Sequence, residues 1–405
     1  ILLFFNLTNI FAQLDCSFEH YGTEDGLPQS NIMSILQDKK GFMWFSTWDG
    51  LSKFDGYSFK TIKLPEDEKY KSKSNRVDYI YEDKYGNIWT LFYDNLAYRY
   101  NPQTEKFRGI NSLKEFENQT FYTEKIIIQT SGKVWLISEN NGCVAVVDSL
   151  FNSEVYNKEN SFLPDNKVYD IFEDSRFSSW ILTDKGVLQS DFERNTKLLL
   201  NENAQLFPNN NYPVYCAVES DNEIWLGSMD GKIWIYNPGD NKIRAIELET
   251  NSSITNLKKI SDEKIIAVTD RDGFFIYNIL NNSWEQFNTA SHRNLASNII
   301  HTIYTDMAGN VWFETDQPGV GMFNPHSKQI IHFSPSIESK ESHVFLPNFF
   351  IFEDINKQLW VHPRGGGFGY YDHINNKLIP FYNEPFTSDW RFSNVLHAAY
   401  SDRQG

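Results

Sequence analysis

Three kinds of residue in this chain could do chemistry: regularly spaced carboxylates, scattered arginines, and a few aromatics outside the regular spacing. Asp38, Asp83, Asp174, Asp306 and Asp354 each stand six residues before a tryptophan. Two carboxylates flanking a sugar bond can hydrolyse it, one as acid and the other as base or nucleophile. An arginine clamps a carboxylate substrate through two parallel hydrogen bonds. Such an enzyme needs its arginines together, yet Arg76, Arg271, Arg364 and Arg391 are scattered, and most carboxylates sit where a turn accounts for them. No H-E-x-x-H, G-x-S-x-G or G-x-x-x-x-G-K-S/T motif occurs, and the nine histidines show no ligand spacing. Cys16, Cys143 and Cys216 lack C-x-x-C spacing, which argues against both a disulfide framework and a zinc site. Gly365, Gly366 and Gly367 precede no helical pattern and read as a loop, not a phosphate cradle. The expectation is a chain with no catalytic residue, no metal and no cofactor.

Binding suits the remaining candidates better. Trp48 and Tyr93 stand outside the tryptophan register, and each is followed by a carboxylate, Asp49 and Asp94. A ring presented on a loop stacks on the apolar face of a sugar, while Asp, Asn and Arg bond to its hydroxyls. The ligand-binding candidates are Trp48, Asp49, Tyr93, Arg76, Arg271, His362 and Arg364, with Asn31, Asp94, Asp230, Asp272 and Asp316 in the same set of loops. A purely structural reading competes, because W-D-G and Y-D-N are also good turn sequences.

These loops need a scaffold, and a repeat supplies it. With Trp44 as anchor, equivalent positions fall at Trp89, Trp135, Trp180, Trp225, Ile266, Trp312 and Trp360, at intervals of 41 to 48 residues. Six residues before each anchor stand Asp38, Asp83, Gln129, Asp174, Glu219, Ile260, Asp306 and Asp354. Alternating segments at 31–37 and 76–82 suit half-buried strands. The D-x-x-G that follows adds a side chain accepting backbone N–H groups and a glycine able to take positive φ. Pairs such as Phe54-Asp55, Tyr100-Asn101, Val147-Asp148 and Tyr236-Asn237 end a third strand, and a fourth follows. No segment shows sustained helical periodicity with caps. The chain is expected to be all-β, a β-propeller of four-stranded blades whose bulky anchors pack one blade against the next.

Seven units from Trp44 to Trp312, then a polar stretch at 334–347, predict a seven-bladed ring over 14–335 and the truncated start of a second propeller over 336–405. A single eight-bladed ring is the alternative. The segment 18–31 is expected to be an outer strand completing the last blade. Residues 1–13, with the apolar run ILLFFNLTNIFA, read as the remnant of an export signal, against the alternative of a buried first strand. Asp15 makes Cys16 a poor lipid acceptor. At the other end, Asp402 and Gly405 match the repeated turn, so the chain is expected to stop in mid-repeat. Lys and Arg number 37 against 53 Asp and Glu, a net charge of −16 that disfavours nucleic acid and anionic membrane surfaces as partners.

The block EHYGTEDGLPQSNIMSILQDKKGFMWFSTWDGLSKFDGYSFK and the recurring E-D-x-x-G-x-x-W resemble the two-component-regulator propeller repeats. Those repeats form the periplasmic sensor region of hybrid two-component histidine kinases in polysaccharide-degrading bacteria. The resemblance implies a non-enzymatic, periplasmic, oligosaccharide-binding module of a homodimeric inner-membrane receptor, joined to the membrane and kinase by parts outside these 405 residues. Ile260, Ile266 and Phe177 depart from the pattern. Two other readings stay open. D-x-x-G-x-x-W is also similar to the Asp-box turn of sialidase propellers, and a constitutive surface scaffold would use the same fold.

Overall fold

A computed structural model of the chain describes residues 21–403, except 66–71, 117–118, 139–140, 147–149, 160–162, 164–166, 185, 191–195, 201–212, 334–348, 365–367 and 381–397. The expected signal remnant, Cys16, Val147-Asp148, the polar stretch, the glycine run and Arg391 lie outside the described residues.

The architecture is all-β: eight four-stranded antiparallel sheets, each a meander with its strands side by side in chain order. Sheets 1 to 8 span 32–62, 77–109, 125–156, 168–200, 214–247, 254–287, 300–333 and 350–380. Helical structure among the described residues amounts to three 3-10 turns, Thr23–Asp25, Ile110–Ser112 and Lys114–Phe116. Residues 21–31 hold the first of these and no strand, unlike the outer strand expected there. The reason is local: the Asp25 carboxylate accepts the Gly22 N–H at 2.8 Å, and Gly26 closes the turn at φ 105°.

Burial within a sheet follows strand position. Second strands such as Ile88–Phe92 and Val311–Thr315 are buried along their whole length because sheets pack on both their faces. Fourth strands such as Lys242–Glu247 are largely exposed and carry charged side chains, which protect an open edge from pairing with other chains.

Seven apolar clusters each join one sheet to the next. Trp44, Trp89, Trp135, Trp180 and Trp312 are completely buried in them. The anchor of one sheet meets the aromatic that ends the third strand of the following sheet. Trp44 lies 6.0 Å from Tyr100, Trp180 5.5 Å from Tyr236, Trp225 5.1 Å from Tyr277 and Trp312 4.8 Å from Tyr371. The last of these pairs joins sheets 7 and 8, across the stretch where one propeller was expected to give way to another. At the far end, Arg403 donates to the Gln37 side chain at 2.9 Å and to the carbonyls of Asp38 and Lys39 at 2.7 and 3.1 Å, placing it on the first hairpin of sheet 1.

Each D-x-x-G turn is tied to its own anchor. The indole N–H of Trp44 donates to Asp38 at 2.8 Å, and equivalent bonds join Trp89 to Asp83, Trp135 to Gln129, Trp180 to Asp174, Trp312 to Asp306 and Trp360 to Asp354. Sheets 5 and 6 differ. Glu219 pairs across the ladder with Ile224, so the turn of sheet 5 is one residue shorter and Glu219 is a strand residue, not the turn acceptor that its spacing predicts. It belongs instead with Glu82, Glu173 and Glu353, which accept backbone N–H groups from the turn of the preceding sheet. Their donors are Ser175 for Glu219 at 2.7 Å, Lys39 for Glu82 at 3.0 Å, Thr130 for Glu173 at 2.8 Å and Met307 for Glu353 at 3.0 Å. In sheet 6 a bulge between Lys259 and Ser261 frees Ile260 to pack into the core with sheet 7.

Candidate functional site

A meander puts the connections between second and third strands at one end of every sheet, together with the links to the next sheet. The D-x-x-G hairpins lie at the other end. The first group carries the binding candidates, and loops held by a rigid scaffold are the usual seat of recognition.

Sheets 1 and 2 bring three of these candidates together. Trp48 sits in the turn after the strand Met43–Thr47, Tyr93 in the turn after Ile88–Phe92, and Arg76 just before Val77–Glu82. The Arg76 guanidinium lies over both rings, 4.5 Å from the centre of Tyr93 and 5.5 Å from that of Trp48. Its Nε donates to Asp78 at 2.6 Å, which fixes the plane of the group between the rings. The Tyr93 N–H donates to the Arg76 carbonyl at 3.1 Å, tying the two loops of sheet 2 to each other. Trp48 and Tyr93 nevertheless stay 47% and 60% exposed, so the surfaces turned away from the arginine face solvent.

Carboxylates frame this platform. Asp49 accepts Asn75 Nδ2 at 2.9 Å and Lys63 Nζ at 2.6 Å, linking sheet 1 to the segment that enters sheet 2. The Lys63 hydrogen bond, opposed by partial burial, holds the Asp49 carboxyl below the usual range. Asp94 Oδ2 accepts the Ser72 hydroxyl at 2.8 Å and the Lys73 N–H at 3.0 Å, while its buried Oδ1 has no hydrogen-bond partner among the described residues. Spacing did not single out Asn75 or Ser72. Their signal was proximity to Arg76, in a Ser- and Asn-rich entry to the strand.

The other candidates lie elsewhere. Arg271, in the turn of sheet 6, bonds to its neighbour Asp270 at 3.2 Å and is 77% exposed. His362 is fully buried and stacked on Phe350 at 4.9 Å, a core residue of sheet 8. Arg364 pairs with Glu314 at 3.0 Å, and its carbonyl accepts the Gly319 N–H at 2.7 Å, so it fastens sheet 8 to sheet 7. Arg76, Arg271 and Arg364 therefore occupy separate junctions, each beside its own carboxylate, and form no clamp. Among the described residues no group of three or more His, Cys, Asp or Glu is placed to hold a metal ion. The buried thiols of Cys143 and Cys216 are pushed far up from their usual range by desolvation, which keeps them protonated.

Residues 26–49 match the family model described as two component regulator propeller. A 51-residue stretch is 49% identical to histidine kinase P4 of Formosa agariphila, covering 12% of this chain and 4% of that protein. Among solved structures, the chain resembles the extracellular domain assigned to a hybrid two-component system of B. thetaiotaomicron, at 23% identity and TM-score 0.45 over 90% of this chain and 49% of that one. It thus spans about half the length of that domain. It also resembles Sqt1 of Saccharomyces cerevisiae, at 11% identity and TM-score 0.54 over 82% of this chain and 93% of that one, a likeness of fold alone. The stretch matched by the family model runs from Gly26 to Asp49, through the first D-x-x-G turn, its anchor Trp44 and Trp48 of the aromatic platform. Residues 26–49 therefore carry a two-component regulator propeller repeat, in a chain whose fold is all-β and propeller-type.

Proposed function

We propose that this chain is an extracytoplasmic ligand-sensing region of a two-component receptor and that the Trp48–Arg76–Tyr93 platform binds an oligosaccharide. The observation that carries the reading is one guanidinium held over two exposed rings, between loops of adjacent sheets. Sugar rings offer C–H faces to aromatic surfaces and hydroxyls to charged hydrogen-bonding groups. Arg76 supplies donors between the rings. Because the platform spans two sheets, a ligand there has differential affinity for arrangements that alter their spacing, which is the physical requirement for a signal. The similarity to histidine kinase P4 supports a kinase as the downstream partner, and the receptor is proposed to be periplasmic and homodimeric.

The test is calorimetric titration of the complete ectodomain with a panel of neutral and acidic oligosaccharides. Saturable heat with one glycan is expected, weakened at least tenfold in Trp48→Ala and in Tyr93→Ala variants that keep their far-UV spectrum. A glycan that binds equally well to both variants removes the site from this platform. Silence across the panel removes the oligosaccharide.

A further inference from the structure

The opposite, hairpin end of sheets 1 and 2 holds a cleft of about 210 Å³ that this sensor reading does not use. Phe42, Tyr85 and Pro102 wall it, and four lysines, Lys39, Lys40, Lys53 and Lys84, line it in a chain whose net charge is −16. Two of these cations are committed. Lys39 Nζ donates to the carbonyls of Asp83 and Lys84 at 2.9 and 3.2 Å, and Lys84 Nζ to that of Ser131 at 3.2 Å. The lining carboxylates are committed as well. Asp38 accepts the N–H groups of Lys40 and Phe42 and the Trp44 indole, and both Glu82 oxygens accept the Lys39 N–H. Lys40 and Lys53 make no ion pair among the described residues. The Lys53 ammonium is held over the Phe42 ring, 3.4 Å from its centre.

The neighbouring junction shows what fits such a place. Lys53 faces Trp44 across the ladder of sheet 1, and Arg99 faces Trp89 in the same register of sheet 2. Between sheets 2 and 3 the space beside Arg99 is filled by Phe151, which stacks on Trp89 at 5.9 Å under the guanidiniums of Arg99 and Arg108, at 4.5 and 4.4 Å. Phe151 comes from the loop between the third and fourth strands of sheet 3. At the junction of sheets 1 and 2 the ring beside the anchor is Tyr100, 6.0 Å from Trp44, and the loop between the third and fourth strands of sheet 2 gives Pro102 to the wall of the cleft. Both junctions set cations against aromatic rings, and the cleft, which Tyr100 does not line, presents Lys40 and Lys53 beside Phe42 and Tyr85.

We infer that the cleft is a binding site for a small ring-bearing carboxylate, its ring between Phe42 and Tyr85 and its carboxylate against Lys53 and Lys40. A volume below that of drug-sized pockets sets the ligand at one ring. Charge-assisted bonds to two ammonium groups set its sign. A uronic acid and an aromatic acid share this chemistry, and the titration separates them. The 405-residue chain is titrated calorimetrically with glucuronate, benzoate, glucose and inorganic sulfate. One of the two acids is expected to bind with unit stoichiometry, at least tenfold more tightly than glucose or sulfate, and more weakly as salt is raised. Lys53→Met, which keeps an apolar stem over Phe42, and Lys40→Gln, a change at an exposed residue, should each weaken that binding at least fivefold. No heat with either acid overturns the inference. So does binding that both variants retain, or sulfate or glucose binding as tightly as the acid. The cleft and the Trp48 platform lie at opposite ends of the strands, so failure of one titration leaves the other readable.

Discussion

The first hairpins of sheets 2 and 5 solve one problem in two ways. In sheet 2 the turn is long and its N–H groups point inward, where a carboxylate collects them. Asp83, 2% exposed, accepts from the N–H groups of Tyr85 and Asn87, from the Asn87 side chain and from the Trp89 indole. In sheet 5 the turn is one residue shorter: Ser220 pairs directly with Glu223, and Asp221 and Asn222 take positive φ of 53° and 63° between them. The cost appears at the anchor, where the buried Trp225 indole N–H has no hydrogen-bond partner among the described residues. The carboxylate is therefore a device for one turn geometry and not a requirement of the sheet.

The largest expected effect follows from the crowded turn. Asp83→Ala strands several buried donors at once, and each unpaired donor costs roughly 1–3 kcal/mol. A loss of about 3 kcal/mol or more, read as a lowered urea midpoint, is predicted. A loss under about 1 kcal/mol would mean that water replaces the carboxylate and that the two turns are energetically alike.

The anchors give the next contrast. Trp89→Phe and Trp225→Phe remove similar packing, but the first also breaks a 3.0 Å bond to a carboxylate, whereas the second removes an N–H that has no partner among the described residues. Hydrogen bonds to charged groups contribute about 1.5–3 kcal/mol, so Trp89→Phe should be the more destabilising by about that amount. Equal midpoints for the two variants would show that indole bonding adds little to the sheet junctions.

These contrasts also mark where sequence reasoning succeeded. Intervals between tryptophans revealed the sheets because a ring that wedges neighbouring sheets together recurs once per sheet. Tyr100 and Tyr236 were legible as strand ends, and they prove, with Tyr277 and Tyr371, to meet the anchors of the preceding sheets. Glu219 was misread because a count back from Trp225 cannot register a turn that lost one residue; its pairing with Ile224 can. His362 carried the chemistry of a site residue, but its strand places it inside sheet 8. Trp48, Arg76 and Tyr93 were each legible as loop residues. Their meeting was not, since it depends on how sheet 2 stacks on sheet 1, and no spacing within either repeat encodes that.

The smallest effect tests the turn itself. Gly41, Gly86, Gly132 and Gly309 occupy one turn position at φ between 78° and 100°, where a side chain is strained. Sheet 4 places Phe177 there at φ 62°. The left-handed conformation costs a residue with a Cβ about 1–2 kcal/mol, part of which glycine returns through its greater freedom in the unfolded chain. Phe177 is 47% exposed, so its ring contributes limited packing, and the bond from its N–H to the Asp174 carbonyl at 2.9 Å survives substitution. Phe177→Gly should therefore stabilise the protein by about 0.5–1 kcal/mol, raising the thermal midpoint by a degree or two. A fall in the midpoint would show that the exposed ring packs well enough to outweigh the strain, and that this position in sheet 4 serves something besides the turn.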